Sequence, residues 1–300
     1  MVYTEIKERN GKKYFYRVIN VRKGKKFKKE RIYLGVNLDK QDISTAESKA
    51  DKKMTLLSNL LNETETKFLD NLKKEFKKEP KANEENRYEA FISLFTYDSN
   101  AIEGNSLSLA ETSFLLFENQ VPATKSLREI NETLNHRIAF DYMLAQQEDI
   151  SKEFICELHR LVVQNTLRKD LIPQIGKYRT LQVFIHGRNW IPPKPEEVPQ
   201  EMKSLLSWYA KNNKKLHPVI LATYFHVAFE TIHPFIDGNG RVGRLLMNFI
   251  LHKYGYPMIN IPNKIKYKYY DSLKEATLNG NLRLFIEILL ELYKEMNLRF

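Results

Sequence analysis

The stretch from Pro218 to Tyr254 constrains this sequence more than any other. It places apolar residues at helical spacing on both sides of a loop that no helix can enter. Leu221, Phe225, Ala228 and Ile232 form one stripe. The helix they imply, Pro218–Ile232, must stop at His233, because a residue before proline is pushed out of the α region. A second helix resumes at about Arg241 and runs to Tyr254. Between the two, Gly238 and Gly240 flank Asn239, so the loop can take positive φ and turn successive backbone N–H groups to one side. The N-terminus of the second helix aims unpaired N–H groups and the positive end of its dipole at the same place. Arg241 and Arg244, three residues apart, share a helix face above it. Together these features predict a nest for several phosphate groups. Asp237 stands one step before the nest, where a carboxylate can hold Mg²⁺. His233 stands four residues before that acid and is suited to take a proton at neutral pH.

The rest of the chain reads as mostly α. Apolar residues fall at helical spacing from Ser44 to about Glu79, then over Ser108–Phe117, Lys125–Gln146, Lys152–Thr166, Pro199–Lys211, Tyr267–Asn279 and Leu282–Leu298. Pro80 and the polar residues after it mark a boundary. Residues 173–199 are rich in Pro and Gly and hold one β-like stretch, Leu181–His186, which predicts a β-hairpin flap followed by a loop. Residues 13–35 alternate, with aromatic and β-branched types around the basic turn Arg22-Lys23-Gly24-Lys25-Lys26, and predict a β-hairpin. The expected division is a basic hairpin over 1–40, a helical linker over 41–86, a helical region over 87–150 and a catalytic core over 151–300. No internal repeat or low-complexity tract interrupts it.

Charge separates these parts. Residues 1–40 carry 13 Lys or Arg against 4 Asp or Glu, a net +9, whereas the other 260 residues carry 35 against 33, a net +2. The one cysteine, Cys156, excludes an intramolecular disulfide and sits beside an apolar face as packing. The first residues lack the apolar run of a signal peptide, and no stretch approaches the ~18–20 apolar residues of a spanning helix. The expectation is a cytoplasmic protein without membrane contact. His217, His226 and His233 lack metal-ligand spacing; His217 is expected at a helix cap and His226 in the core.

The segment Ile232-His-Pro-Phe-Ile-Asp-Gly-Asn-Gly-Arg-Val-Gly-Arg244 resembles the Fic motif at every position. The likeness extends over roughly residues 88–295 and implies a Fic-type helical bundle with a flap. It also implies an activity: transfer of AMP from ATP, with Mg²⁺, to Ser, Thr or Tyr hydroxyls of proteins. His233 would then act as the base and Asp237 as the metal ligand. Gly238, Asn239 and Gly240 would cradle phosphates, with Val242 and Gly243 continuing the site, while Arg241 and Arg244 neutralise the leaving phosphates. Phe235 would anchor the loop in the core. Kinase-like relatives carry a lysine where this chain has Gly240, which favours AMP transfer over transfer of the γ-phosphate.

Ser99-Asn-Ala-Ile-Glu103-Gly104 is similar to the family's inhibitory motif. The resemblance implies that Glu103 pairs with Arg244, takes the γ-phosphate position and holds the enzyme down; in some relatives the same glutamate helps remove AMP. It also implies that the flap, from Gly176-Lys-Tyr-Arg179 to Trp190, docks an extended target segment. Val183, Phe184, Ile185 and His186 would line the nucleotide site, Tyr269 and Tyr270 would bracket the base, and Thr277 stands where relatives often have Asn. Donors such as UTP, GTP or CDP-choline fit the phosphate nest equally well, and self-modification and a homodimer are compatible with the sequence. For the basic hairpin, an acidic protein partner is favoured over nucleic acid.

Overall fold

The computed structural model describes residues 2–23, 26–58, 60–78, 80, 83–185 and 190–297. Three strands open the chain: β1 (Val2–Arg9), β2 (Lys12–Lys23) and β3 (Lys26–Val36), antiparallel in the order β1-β2-β3. The hairpin expected from sequence is therefore a three-stranded meander. Its extra strand is joined by Asn10 and Gly11 at φ 52° and 72°. Asn-Gly suits such a two-residue hairpin turn, because both central residues must take positive φ. The basic turn at Gly24-Lys25 lies outside the described residues.

Helix α1 (Lys40–Ser58) packs on one face of the sheet, and α2 (Glu63–Phe76) follows. The sequence suggested one continuous helical stretch here. Asn62 instead starts a new helix, its side chain capping the Glu65 N–H while Glu65 reaches back to the Asn62 N–H. The chain then runs through α3 (Glu84–Ile102), α4 (Leu109–Phe117), α5 (Leu127–Ala145) and α6 (Lys152–Val163). After the Pro- and Gly-rich stretch come α7 (Val198–Asn212), α8 (Pro218–Ile232), α9 (Asn239–Lys253), α10 (Lys266–Asn279) and α11 (Arg283–Asn297).

Helix α9 lies in the middle. From Arg241 to Leu251 every residue is buried, which suits a helix whose apolar residues run all the way round. Helices α3, α5, α6 and α8 surround it. Asn248, fully buried on α9, donates to the Ile259 carbonyl at 2.9 Å and accepts the Ile259 N–H at 2.7 Å, tying the loop before α10 to this centre. No helix among the described residues is long and apolar enough to cross a membrane.

The core is rich in neutral histidine. His136, His159 and His226 are fully buried, and His217 caps α8 by accepting the Val219 N–H. Burial pushes His159 and His226 down to about 3, His217 to about 4, and His136 well below the ordinary range. In the unfolded chain each titrates near 6.5. As pH falls below that value the unfolded chain binds protons that the folded chain refuses. Stability therefore drops by about 1 kcal/mol per histidine between pH 6.5 and 5.5. Thermal melts are expected to show Tm falling within this interval. A Tm that stays flat until the carboxylate range, below about 4.5, contradicts the neutral burial of these rings.

Candidate active site

Helix α8 ends at Ile232, and His233 follows in the left-handed region at φ 51°, ψ 61°. A non-glycine residue held there stores roughly 1–3 kcal/mol of strain, so the surroundings must fix it. Arg179 does much of this. Fully buried, it donates from Nε to the His233 carbonyl at 2.8 Å and from its own backbone N–H to the Pro234 carbonyl at 2.9 Å. Its two Nη atoms reach the Leu181 and Pro193 carbonyls. One side chain thus ties the loop after α8 to both sides of the Pro- and Gly-rich stretch. Lysine cannot reproduce this fork. Arg179→Lys is expected to lower stability by about 2–3 kcal/mol, through buried carbonyls left without a donor. Thermal or denaturant melts check this, and an unchanged midpoint contradicts it.

Phe235 anchors the loop, fully buried and stacked on His159 with ring centroids 3.8 Å apart and planes within 3°. The Asn239 side chain binds the loop to itself: its Oδ1 accepts the Phe235 N–H at 2.9 Å and its Nδ2 donates to the Phe235 carbonyl at 2.8 Å. Gly238 begins α9 at φ 77°, and a Cβ there would stand 2.7 Å from Val163 Cγ1. Both its backbone conformation and its surroundings therefore demand glycine.

Helix α9 starts at Asn239, two residues earlier than the sequence suggests, because Gly238 and not Gly240 makes the turn. The N–H groups of its first turn have no intrahelical acceptor. Arg241 and Arg244 rise from this turn and are almost completely buried. Arg241 stands 3.4 Å from Asp237 and 3.6 Å from Glu132, and its Nε and Nη1 have no hydrogen-bond partner among the described residues. A buried guanidinium so sparsely bonded leaves donors for an anion.

Arg244 is fully engaged. Its Nε donates to Ser99 Oγ at 2.9 Å, and its Nη2 donates to the Ser99 carbonyl at 2.7 Å and to Glu103 Oε1 at 2.8 Å. Burial lowers its pKa, but the charge and hydrogen bond of Glu103, together with Tyr269 and Glu230, outweigh burial and raise it. Glu103 caps the C-terminus of α3, and Gly104 turns away at φ 100°. The Glu103 carboxylate lies so close to the start of α9 that a Cβ on Gly240 would meet Oε1 at 2.1 Å. A carboxylate of the chain itself therefore sits beside both the anion-seeking helix end and Arg244.

Asp237 Oδ1 accepts the Gly238 N–H at 2.6 Å, and Oδ2 faces Arg128 Nη2 at 3.3 Å. The carboxylate is about one-third exposed. A hard, single carboxylate at the rim suits Mg²⁺, which completes its shell with substrate phosphates and water. Among the described residues there is no cluster of three His, Cys, Asp or Glu to hold a metal without them. The His233 ring is part-exposed. Burial pushes its pKa to about 4, against the opposing pull of the Glu230 backbone and Glu103. It is neutral at pH 7 and free to accept a proton.

Residues 149–251 match the Fic/DOC family model. These residues are a Fic domain. The protein adenylyltransferase Fic of Drosophila persimilis is 39% identical over 197 residues, which is 64% of this chain and 37% of that protein. The protein of the same name from Nematostella vectensis is 36% identical over 195 residues, 63% of this chain and 44% of that one. The chain therefore spans well under half the length of these relatives. A Fic-domain-containing signalling protein from Bacteroides thetaiotaomicron superposes with a TM-score of 0.68 at 29% identity, covering 76% of this chain and 93% of that one. Fic-1 from C. elegans superposes with a TM-score of 0.70 at 28% identity, covering 88% and 77%.

Around the Fic domain, several sequence expectations need correction. Asn239 uses its Oδ1 and one Nδ2 hydrogen to clamp Phe235, which leaves the second Nδ2 hydrogen uncommitted. Tyr269 does not present a free face to a base: it is buried, with its hydroxyl bonded to His226 Nε2 at 2.9 Å. Tyr270, its ring tilted beside that of Tyr269 with centroids 5.5 Å apart, is partly exposed and donates to the Ile102 carbonyl at 3.1 Å. Thr277 shares a hydrogen bond with Thr231 at 2.9 Å. Of the flap, Val183, Phe184 and Ile185 are at least partly exposed and belong to no strand, while His186 lies outside the described residues. Val242 and Gly243 are buried inside α9, facing the core and His226 respectively. Sequence reasoning missed Arg179, Arg128 and Glu132; only the Lys-Tyr-Arg step after Gly176 hinted at the first.

Proposed function

We propose that this chain is a protein adenylyltransferase that moves AMP from ATP to Ser, Thr or Tyr hydroxyls of proteins. One observation carries the reading: His233, held in a strained turn, stands six residues before the N-terminus of a buried helix that bears two buried arginines. The His233 ring takes the hydroxyl proton as the oxygen attacks the α-phosphorus. The bond from that phosphorus to the bridging oxygen breaks, and pyrophosphate leaves with the electron pair. Arg241 and, once freed, Arg244 neutralise the charge that builds on the leaving phosphates. Gly238 and Gly240 let the backbone approach the phosphates closely. Asp237, flanked by Arg128 and Arg241, would hold Mg²⁺, which would supply charge neutralisation at the phosphates. Val183, Phe184, Ile185, Tyr270 and Thr277 would line the nucleotide site, and an extended target segment would run along the flap.

Within this reading Glu103 is an inhibitor. Its carboxylate, 2.8 Å from Arg244 and crowded against Gly240, would repel the terminal phosphate of ATP and occupy the cation that should receive it.

Label position tests the reaction class. With Mg²⁺, label from α-labelled ATP is expected on protein, and label from γ-labelled ATP is not. Transfer of γ-label alone would make the chain a kinase. Competition by UTP, GTP and CDP-choline fixes the donor: strong competition by CDP-choline but not by ATP overturns the adenylate reading.

A further inference from the structure

The site residues described above all lie outside the basic N-terminal sheet. Helix α1 covers one face of that sheet: Phe15 is buried there and Arg17 Nη1 meets Glu47 Oε1 of α1 at 3.1 Å. Successive strand residues point to opposite sides. Tyr14 and Tyr16 therefore face away from α1, and the register sets Tyr16 opposite both Glu5 and Tyr33, with Tyr14 opposite Lys7. The rings meet across the strands, Tyr14 and Tyr33 with centroids 6.4 Å apart and Tyr16 and Tyr33 5.4 Å apart. Tyr33 is 52% exposed. Lysines sit over the rings: Lys7 is 5.6 Å from the Tyr16 centroid and Lys29 is 5.7 Å from that of Tyr3.

We propose that this tyrosine- and lysine-bearing sheet face binds single-stranded nucleic acid. Exposed aromatic faces stack on unpaired bases of any sequence, and cations beside them meet the phosphates. Charge complementarity supports the choice of partner, since residues 1–40 carry a net +9 in a chain whose remainder is nearly neutral. Glu5, one of the four acids in that span, is bonded to Arg31 at 2.7 Å. An acidic protein partner would use the charge but has no need of a tyrosine ladder, so the aromatic face tips the choice that charge alone left with proteins. A duplex hides its bases from a stacking surface. The inference stands independently of the AMP-transfer reading.

Fluorescence anisotropy of the full chain tests it, using labelled 20-nucleotide oligo-dT and oligo-U, a 20-base-pair DNA duplex, and a poly-glutamate peptide of equal length. Both single strands are expected to bind more tightly than the duplex or the peptide; their ratio tells DNA from RNA. Affinity should fall about 50-fold between 50 and 200 mM KCl, as about four neutralised phosphates require. Tyr33→Ala should weaken binding at least about fivefold at fixed salt, while Tyr33→Phe, which keeps the stacking face, should retain it. Lys29→Ala should flatten the salt dependence. Circular dichroism establishes that the variants are folded. No binding at 50 mM KCl, equal binding of poly-glutamate, preference for the duplex, or full affinity in folded Tyr33→Ala each overturns the proposal.

Discussion

Glu103→Gly is expected to raise AMP transfer at least tenfold over the unaltered chain. The carboxylate lies against the start of α9 and bonds Arg244 at 2.8 Å. A phosphate brought to the same place would meet a like charge at close range. At an effective dielectric constant of about 20, such repulsion at ~4 Å amounts to about 4 kcal/mol, an upper bound that half-exposed solvent reduces. Every 1.4 kcal/mol recovered is about a factor of ten in affinity or rate. Removing the carboxylate also frees one hydrogen of Arg244 Nη2, while Ser99 still holds Nε and the other Nη2 hydrogen. The fold should tolerate the change, since Glu103 ends α3 and glycine is a favoured residue just past a helix. Glu103→Gln keeps the shape and removes the charge, so an intermediate rise is expected. Initial rates with α-labelled ATP measure both variants. Rates no higher than those of the unaltered chain would remove Glu103 from regulation.

In the Glu103→Gly background, loss of the His233 ring should lower transfer about 10²–10⁴-fold, the usual worth of a positioned base. The choice of replacement matters, because the backbone here is at φ 51°. Asparagine visits this region more readily than alanine, so His233→Asn removes the base with the least disturbance of the loop. ATP affinity should survive, since the proposed phosphate contacts come from α9. The pH dependence offers a separate check. With the ring held near 4, kcat/KM should stay level from about pH 8 to pH 6 and fall only on further acidification, as the ring takes a proton and ceases to be a base. An acid limb centred near pH 7 would mean that another group supplies the base.

Local physics made much of this legible. The bounds Pro218–Ile232 of α8 follow from two prolines and an apolar stripe, and the residue chemistry of the loop announces an anion site. Less legible were features set by distant partners. Arg179 reads as one more arginine until its bonds to His233 and Pro234, 54 residues on, are seen. The clamping role of Asn239 was hidden for a similar reason: phosphate recognition and loop clamping ask for the same side chain, and only the bonds to Phe235 reveal the clamp. Tyr269 went to the core because His226, fully buried, needs a polar partner. The first strand and the break before α2 were different. Asn10-Gly11 and the Asn62–Glu65 capping box are readable local signals that a search for apolar periodicity passes over.

The proposed reaction requires His233 to act at the α-phosphorus and Glu103 to oppose it. The most direct test is transfer of α-phosphate label from ATP to protein by three forms: the unaltered chain, Glu103→Gly, and Glu103→Gly with His233→Asn. The account predicts weak labelling, strong labelling and almost none, in that order. Strong labelling that persists without His233, or folded, ATP-binding protein that labels nothing in any form, would contradict it.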